Sequence, residues 1–192
     1  MTSWKRIVKP LRLGRLLVVA LVLLLLAAAC RASPSKGQWF GSDSLLINVE
    51  LLKQVTEVRY SAEDTHWVLR PSDPNNELVV VRLDVRNRAA AQVFMDIGSD
   101  TVIIRGGKER NYPEYKALDP FAQRTQVDSK SPQEDAYVPF LWGAVELPQE
   151  CPTATGELQS CRLYGWVVFE APKGSKFTQM QWRTGDTVFM NF

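Results

Sequence analysis

From residue 44 onward, apolar and polar residues alternate with a period of two, which sends successive side chains to opposite faces of an extended chain. The sharpest case is 77–87, where Val79, Val81, Leu83 and Val85 fall on one side and Arg82, Asp84 and Arg86 on the other. That pattern predicts a sheet with one face on a core and one face wet. Leu45, Ile47, Val49 and Leu51 alternate in the same way with Leu46, Asn48, Glu50 and Leu52. Further strands are predicted at 92–97, 100–105 and 109–116, the last two joined through Gly106-Gly107, because glycine takes positive φ at no steric cost. Residues 137–147 are aromatic-rich but broken by Pro139 and Gly143, which predicts an edge strand or two short ones. Leu163, Gly165, Val167 and Phe169 alternate against Tyr164, Trp166 and Val168, and strands at 177–182 and 186–192 close the chain. Segments 60–76 and 117–136, rich in Pro, Asp and Ser, read as irregular loops. Short strands separated by turns, with no convincing ten-residue helix after the first thirty residues, predict an all-β fold: a sandwich or a small barrel.

The first thirty residues follow a different pattern. Lys5, Arg6, Lys9, Arg12 and Arg15 form a cationic head without an acidic residue, and 14 apolar residues then run unbroken from Leu16 to Ala29, up to Cys30. A positive end followed by an apolar run predicts a secretory signal. Leu26-Ala-Ala-Ala-Cys30 resembles the lipobox of bacterial lipoproteins, in which the thiol receives a diacylglyceryl group and becomes the mature N-terminus. It departs from that pattern in carrying Ala27 where Leu is usual. The resemblance implies a signal peptide over 1–29, lipidation at Cys30, a polar tether over 30–43 and a domain over 44–192. The membrane is then a partner through the lipid on Cys30. Cleavage that leaves a free thiol, and retention of the leader as an anchor helix, stay open; a span takes roughly 20 apolar residues. In all three cases the body of the chain lies on the extracytoplasmic side of the cell membrane, in a periplasm or at the cell exterior.

Charge follows from this division. Five of the 23 Lys and Arg lie in the leader, leaving 18 against 21 Asp and Glu, a net charge of −3 for the exported part. Such a body carries no electrostatic footprint for nucleic acid. With Cys30 acylated, Cys151 and Cys161 remain as an even pair, and an oxidising compartment predicts a disulfide between them. Two thiols and the single distant His66 do not supply the four ligands of a structural zinc site, so no metal and no cofactor is predicted.

Three segments together point to a family. They are Glu77-Leu-Val-Val-Val-Arg-Leu-Asp-Val-Arg-Asn87, the strand, glycine hairpin and tyrosine of 101–112, and Gly165-Trp-Val-Val-Phe-Glu-Ala-Pro172. In spacing and residue type they resemble the immunoglobulin-like domain of unknown function of bacterial extracellular lipoproteins, which is related in fold to a mycobacterial secreted immunoprotective antigen. The likeness covers roughly 44–192 and implies an immunoglobulin-like antiparallel β-sandwich. The chain departs from the family at 137–162, where an aromatic, proline-rich insertion carrying the cysteine pair replaces a short turn. The family has no agreed enzymatic activity, so the resemblance implies a fold and an address, not a reaction.

Catalytic chemistry is sparse. A Ser–His–Asp or Cys–His relay needs an imidazole beside its nucleophile, and His66 reads as a loop-edge residue. Asp119, Asp128, Glu134 and Asp135 crowd the second irregular segment, while Asp96 and Asp100 flank a turn at Gly98, but neither spacing matches a known binding loop. Gly106-Gly107-Lys108 lacks the first glycine and the helix of a phosphate loop. The aromatics Tyr112, Tyr115, Phe121, Tyr137, Phe140 and Trp142 read mainly as core. Tyr115, Phe121, Tyr137 and Trp142 are the candidates for a surface patch that takes a protein, peptide or glycan partner. The expected function is a non-enzymatic, membrane-anchored binding or interaction module. The alternatives are a metal-dependent or acid/base hydrolase using Asp119, Asp128 and Glu134, and an envelope assembly subunit.

Overall fold

The computed structural model describes residues 37–106, 113–128, 131 and 134–192. The leader, Cys30, the anchor-helix alternative, the tether before residue 37 and the segment 107–112 with its glycine turn lie outside the described residues. Among the described residues no helix is long and apolar enough to cross a membrane.

Strands dominate. In chain order they are β1 (Trp39–Gly41), β2 (Leu45–Val55), β3 (Val58–Ala62), β4 (Thr65–Leu69), β5 (Asn76–Asn87), β6 (Gln92–Ile97), β7 (Val102–Gly106) and β8 (Glu114–Lys116). A single helical turn at Pro120–Gln123 follows, then β9 (Thr125–Val127), β10 (Gly143–Pro148), β11 (Glu150–Pro152), β12 (Leu158–Ser160), β13 (Arg162–Pro172), β14 (Phe177–Trp182) and β15 (Val188–Asn191). The pairings between named strands are antiparallel. One four-stranded sheet has the order β1-β2-β5-β13 and a second the order β15-β14-β7-β8; a ribbon pairs β10 with β6, and a three-stranded sheet runs β3-β4-β9.

The main core forms because the inward positions of these strands converge. Leu45, Ile47 and Val49 from β2, Val79, Val81, Leu83 and Val85 from β5, and Val167 and Phe169 from β13 meet Val102 and Ile104 of β7, Met180 and Trp182 of β14 and Val188 and Met190 of β15. Val93, Met95 and Ile97 of β6 and Val145 and Leu147 of β10 complete the cluster. Two sheets thus face each other across one hydrophobic layer, the arrangement of a sandwich. Asn87, buried at the end of β5, fastens the ribbon to it by donating from Nδ2 to the Leu147 carbonyl at 2.9 Å.

The alternation in β2 does not run through. Val49 pairs with Leu83 but Leu51 pairs with Arg82, so Glu50 is an extra residue in a bulge. One inserted residue moves the following side chains to the opposite face. Leu52, not Leu51, therefore rejoins the main core, while Val55 packs on the other side of the sheet.

That other side is covered by a third layer. Leu78 and Val80 of β5 and Trp166 and Val168 of β13 project away from the main core and meet Val58, Tyr60 and Leu69 of the β3–β4 hairpin. The segment read from sequence as an irregular loop, 60–76, is thus in large part this hairpin. Its turn, Glu63-Asp64, holds two non-glycine residues at φ 50° and 61°. Hairpin turns with two left-handed residues are announced by Asn-Gly or Asp-Gly, and neither is present here. The predicted edge strand at 137–147 begins only at Gly143; before it, Pro139 bridges Trp166 in parallel, and Phe140 N–H donates to the Trp166 carbonyl at 3.1 Å.

Candidate functional site

The β3–β4 hairpin creates a cleft at its tip. Directly opposed residues of an antiparallel pair share a face, so the register Tyr60↔Trp67 and Ala62↔Thr65 places these four on the side that looks toward the main sheet. Tyr60 is fully buried and meets Trp166 edge-on with ring centroids 5.4 Å apart. Ala62, Thr65 and Trp67 instead line a cavity of about 310 Å³ together with Tyr60, Glu63, Phe121, Arg124, Val138, Pro139 and Leu141.

Each wall has a local cause. Asp119 caps the helical turn by accepting from the backbone N–H groups of Phe121 (2.9 Å) and Ala122 (3.3 Å), with Pro120 pre-set for the first helical position. The turn holds Phe121 and delivers the chain to β9, which pairs with β4. Arg124, at the junction, lies with its guanidinium carbon 3.8 Å from the Trp67 ring centroid and 5.0 Å from that of Phe121. Nη1 donates to the Tyr60 hydroxyl at 3.5 Å. Burial pushes the Tyr60 phenol up, against the opposing pull of Arg124, so the partner is a neutral hydroxyl. Among the described residues no carboxylate forms an ion pair with Arg124.

The third wall depends on a glycine. A Cβ on Gly165 would stand 2.8 Å from the Val138 carbonyl oxygen and 3.0 Å from Phe140 Cδ1, so the missing side chain lets 138–140 lie flat on β13. Phe140 then turns into the main core, while Leu141 and Val138 stay 66% and 43% exposed at the cleft.

The segment before it is pinned by charge. Asp135, its side chain only 3% exposed, accepts from Lys53 Nζ and Arg82 Nη2, both at 2.8 Å, and from the Tyr137 amide at 3.1 Å. Burial pushes its carboxyl up, but the Lys53 hydrogen bond, the Tyr137 amide and the charges of Lys53 and Arg82 outweigh that and hold it below its ordinary value. The Asp135 amide in turn donates to the Arg59 carbonyl of β3 at 2.6 Å, which ties the hairpin to the sheet beneath it.

The four predicted patch aromatics disperse. Phe121 lines the cleft. Tyr137 lies between the Arg82 guanidinium (4.2 Å to the ring centroid) and the Tyr164 ring (4.6 Å). Tyr115 packs edge-on against Phe177, and Trp142 packs against the main core. Asp119 is a helix cap, Asp128 is exposed just beyond β9, and Asp100 pairs with Lys116. Among the described residues no group of three or more His, Cys, Asp or Glu is arranged to hold a metal ion.

His66 is in β4, opposite Ser61, on the face turned away from the cleft. Its Nδ1 stands 2.7 Å from Ser61 Oγ and 3.2 Å from Glu134 Oε1, and Ser61 Oγ donates to Glu134 Oε2 at 2.6 Å. A nucleophile relay uses one ring nitrogen for the hydroxyl and the other for the carboxylate. Here the hydroxyl and the carboxylate meet the same nitrogen, an arrangement that ties the hairpin to residue 134.

Cys151 and Cys161 are joined by a disulfide, with Cα atoms 5.0 Å apart. β11 and β12 form the hairpin that it closes, and Cys161 is buried against the main core.

No family model matches the chain, and no curated protein matches it. Among solved structures it is similar to an uncharacterized beta-sandwich protein from Clostridium difficile 630, with 9% sequence identity and a TM-score of 0.40, over 83% of this chain and 92% of that one. The all-β, antiparallel description of the present chain rests on its own strand pairings.

Proposed function

We propose that this chain is a lipid-anchored extracytoplasmic binding module, without catalytic activity, whose recognition site is the cleft at the tip of the β3–β4 hairpin. The observation that carries this reading is the Trp67–Arg124–Phe121 stack. An aromatic and cationic surface stands open beside exposed Leu141 on a framework of paired strands, which suits recognition better than turnover. The Cys151–Cys161 bridge supports an oxidising compartment. The cationic head, the apolar run and Cys30 support a lipid anchor, stable because lipoprotein modification supplies more than one acyl chain. Facing antiparallel sheets with a shared core support an immunoglobulin-like sandwich of the kind found in bacterial lipoproteins.

Two measurements test address and role. Cys30→Ser should move the protein from the detergent to the aqueous phase and remove the lipid from its intact mass; a lipid-bearing variant would end the anchor assignment. Leu141→Asp should weaken ligand binding at the cleft while leaving the free energy of unfolding within about 0.5 kcal/mol of the parent, as for an exposed side chain.

A further inference from the structure

We propose that the cleft binds a small organic monocarboxylate: one carboxylate held by Arg124 and an apolar body laid against Trp67, Phe121, Val138 and Leu141. This rests on reading the cleft as the recognition site and names the ligand class it takes. A guanidinium carries five N–H donors in a planar fork. Around Arg124 the described residues provide two ring faces and one long hydrogen bond, to the neutral Tyr60 hydroxyl, and no carboxylate. The rings lie against the guanidinium but accept none of its N–H groups as an oxygen would. An acceptor with two parallel oxygens completes that edge bidentately, and the partly apolar surroundings strengthen the pair relative to water.

The rest of the lining limits what can be attached to that carboxylate. Ala62, Val138, Pro139 and Leu141 offer no charge and Thr65 only a hydroxyl, so the body of the ligand is uncharged and largely apolar. Glu63, exposed on the hairpin turn, puts a like charge on the same lining and disfavours a second anionic group. A volume of about 310 Å³ lies at the lower end of small-molecule sites, which favours a compact acid over a long acyl chain or a folded peptide.

The test is a titration of the full-length protein in detergent micelles with phenylacetate and with phenylacetamide, its uncharged counterpart, followed by tryptophan fluorescence and calorimetry. Phenylacetate should bind saturably and at least tenfold more tightly than the amide, and Arg124→Gln should reduce its affinity about tenfold or more. Leu141→Asp, at an exposed position where folding is not at stake, should weaken phenylacetate as well. Near-UV circular dichroism establishes that Arg124→Gln is folded; if it is not, the Leu141→Asp variant decides, and unchanged phenylacetate affinity there overturns the proposal. Equal binding of acid and amide, insensitive to Arg124→Gln, would overturn the ligand class while the cleft remained a site. Absence of saturable binding by either probe would remove both.

Discussion

On its inner face the β1-β2-β5-β13 sheet sets Val79, Val81, Leu83 and Val85 against a second sheet across an uninterrupted apolar layer. Its outer face carries a much smaller cluster, Leu78, Val80, Trp166 and Val168 beneath the β3–β4 hairpin, and then becomes polar at Arg82, Asp84 and Arg86. Hydrophobic area suffices to join the two large sheets. The hairpin layer has too little of it, and ion pairs, a carbonyl contact and a glycine-dependent strap complete the attachment. The difference separates a framework from a site. The layer that forms the cleft is held by few and specific contacts, the kind that leave a region able to adjust to a ligand.

Substitutions on the two faces should differ in kind as well as in size. Phe169→Ala empties the middle of the main core and should cost about 3–5 kcal/mol, read as a drop in the urea midpoint of global unfolding. Asp135→Asn leaves Lys53 and Arg82 facing an amide. It should cost about 2–3 kcal/mol and free the hairpin before the sandwich unfolds, seen as proteolysis near residues 58–69. Gly165→Ala drives a methyl group against the Val138 carbonyl and should cost about 1–3 kcal/mol, with loss of cleft binding larger than the loss of stability suggests. Acidification gives the smallest and most selective signal. Asp135 is held below its ordinary value of 3.8 in the folded chain, so the unfolded chain takes up the proton first. The stabilisation is complete above 3.8 and is lost as pH falls through the folded value. Below about pH 4 the parent should therefore lose stability more steeply than Asp135→Asn, measured by urea unfolding at a series of pH values.

The framework was largely legible in the chain because a period of two over long runs leaves little choice of face. β6 and β14 fall where the alternation places them, and β5 and β13 agree to within a residue or two. Three features escaped for physical reasons. The bulge at Glu50 is invisible because Leu51 and Leu52 are both apolar and suit either face. The β3–β4 hairpin turns on Glu63-Asp64 without glycine or asparagine, although Val58, Tyr60 and Ala62 alternate before it and Thr65, Trp67 and Leu69 after it. Arg124 and Trp67, 57 residues apart in the chain, meet only because β9 pairs with β4, and no local pattern announces such a contact. Crowding in sequence proved a poor guide to crowding in space, since Tyr115 and Trp142 pack against the main core, Phe121 lines the cleft and Tyr137 lies between Arg82 and Tyr164.

Native-state hydrogen exchange, comparing amides of β3 and β4 with those of β5 and β13 in the parent and in Asp135→Asn, tests the division between framework and attached layer most directly. In the parent, β3 and β4 should exchange through a smaller opening than β5 and β13, and Asp135→Asn should speed β3 and β4 at least tenfold beyond any change in β5 and β13. Equal protection of all four strands, lowered equally by the substitution, would contradict it.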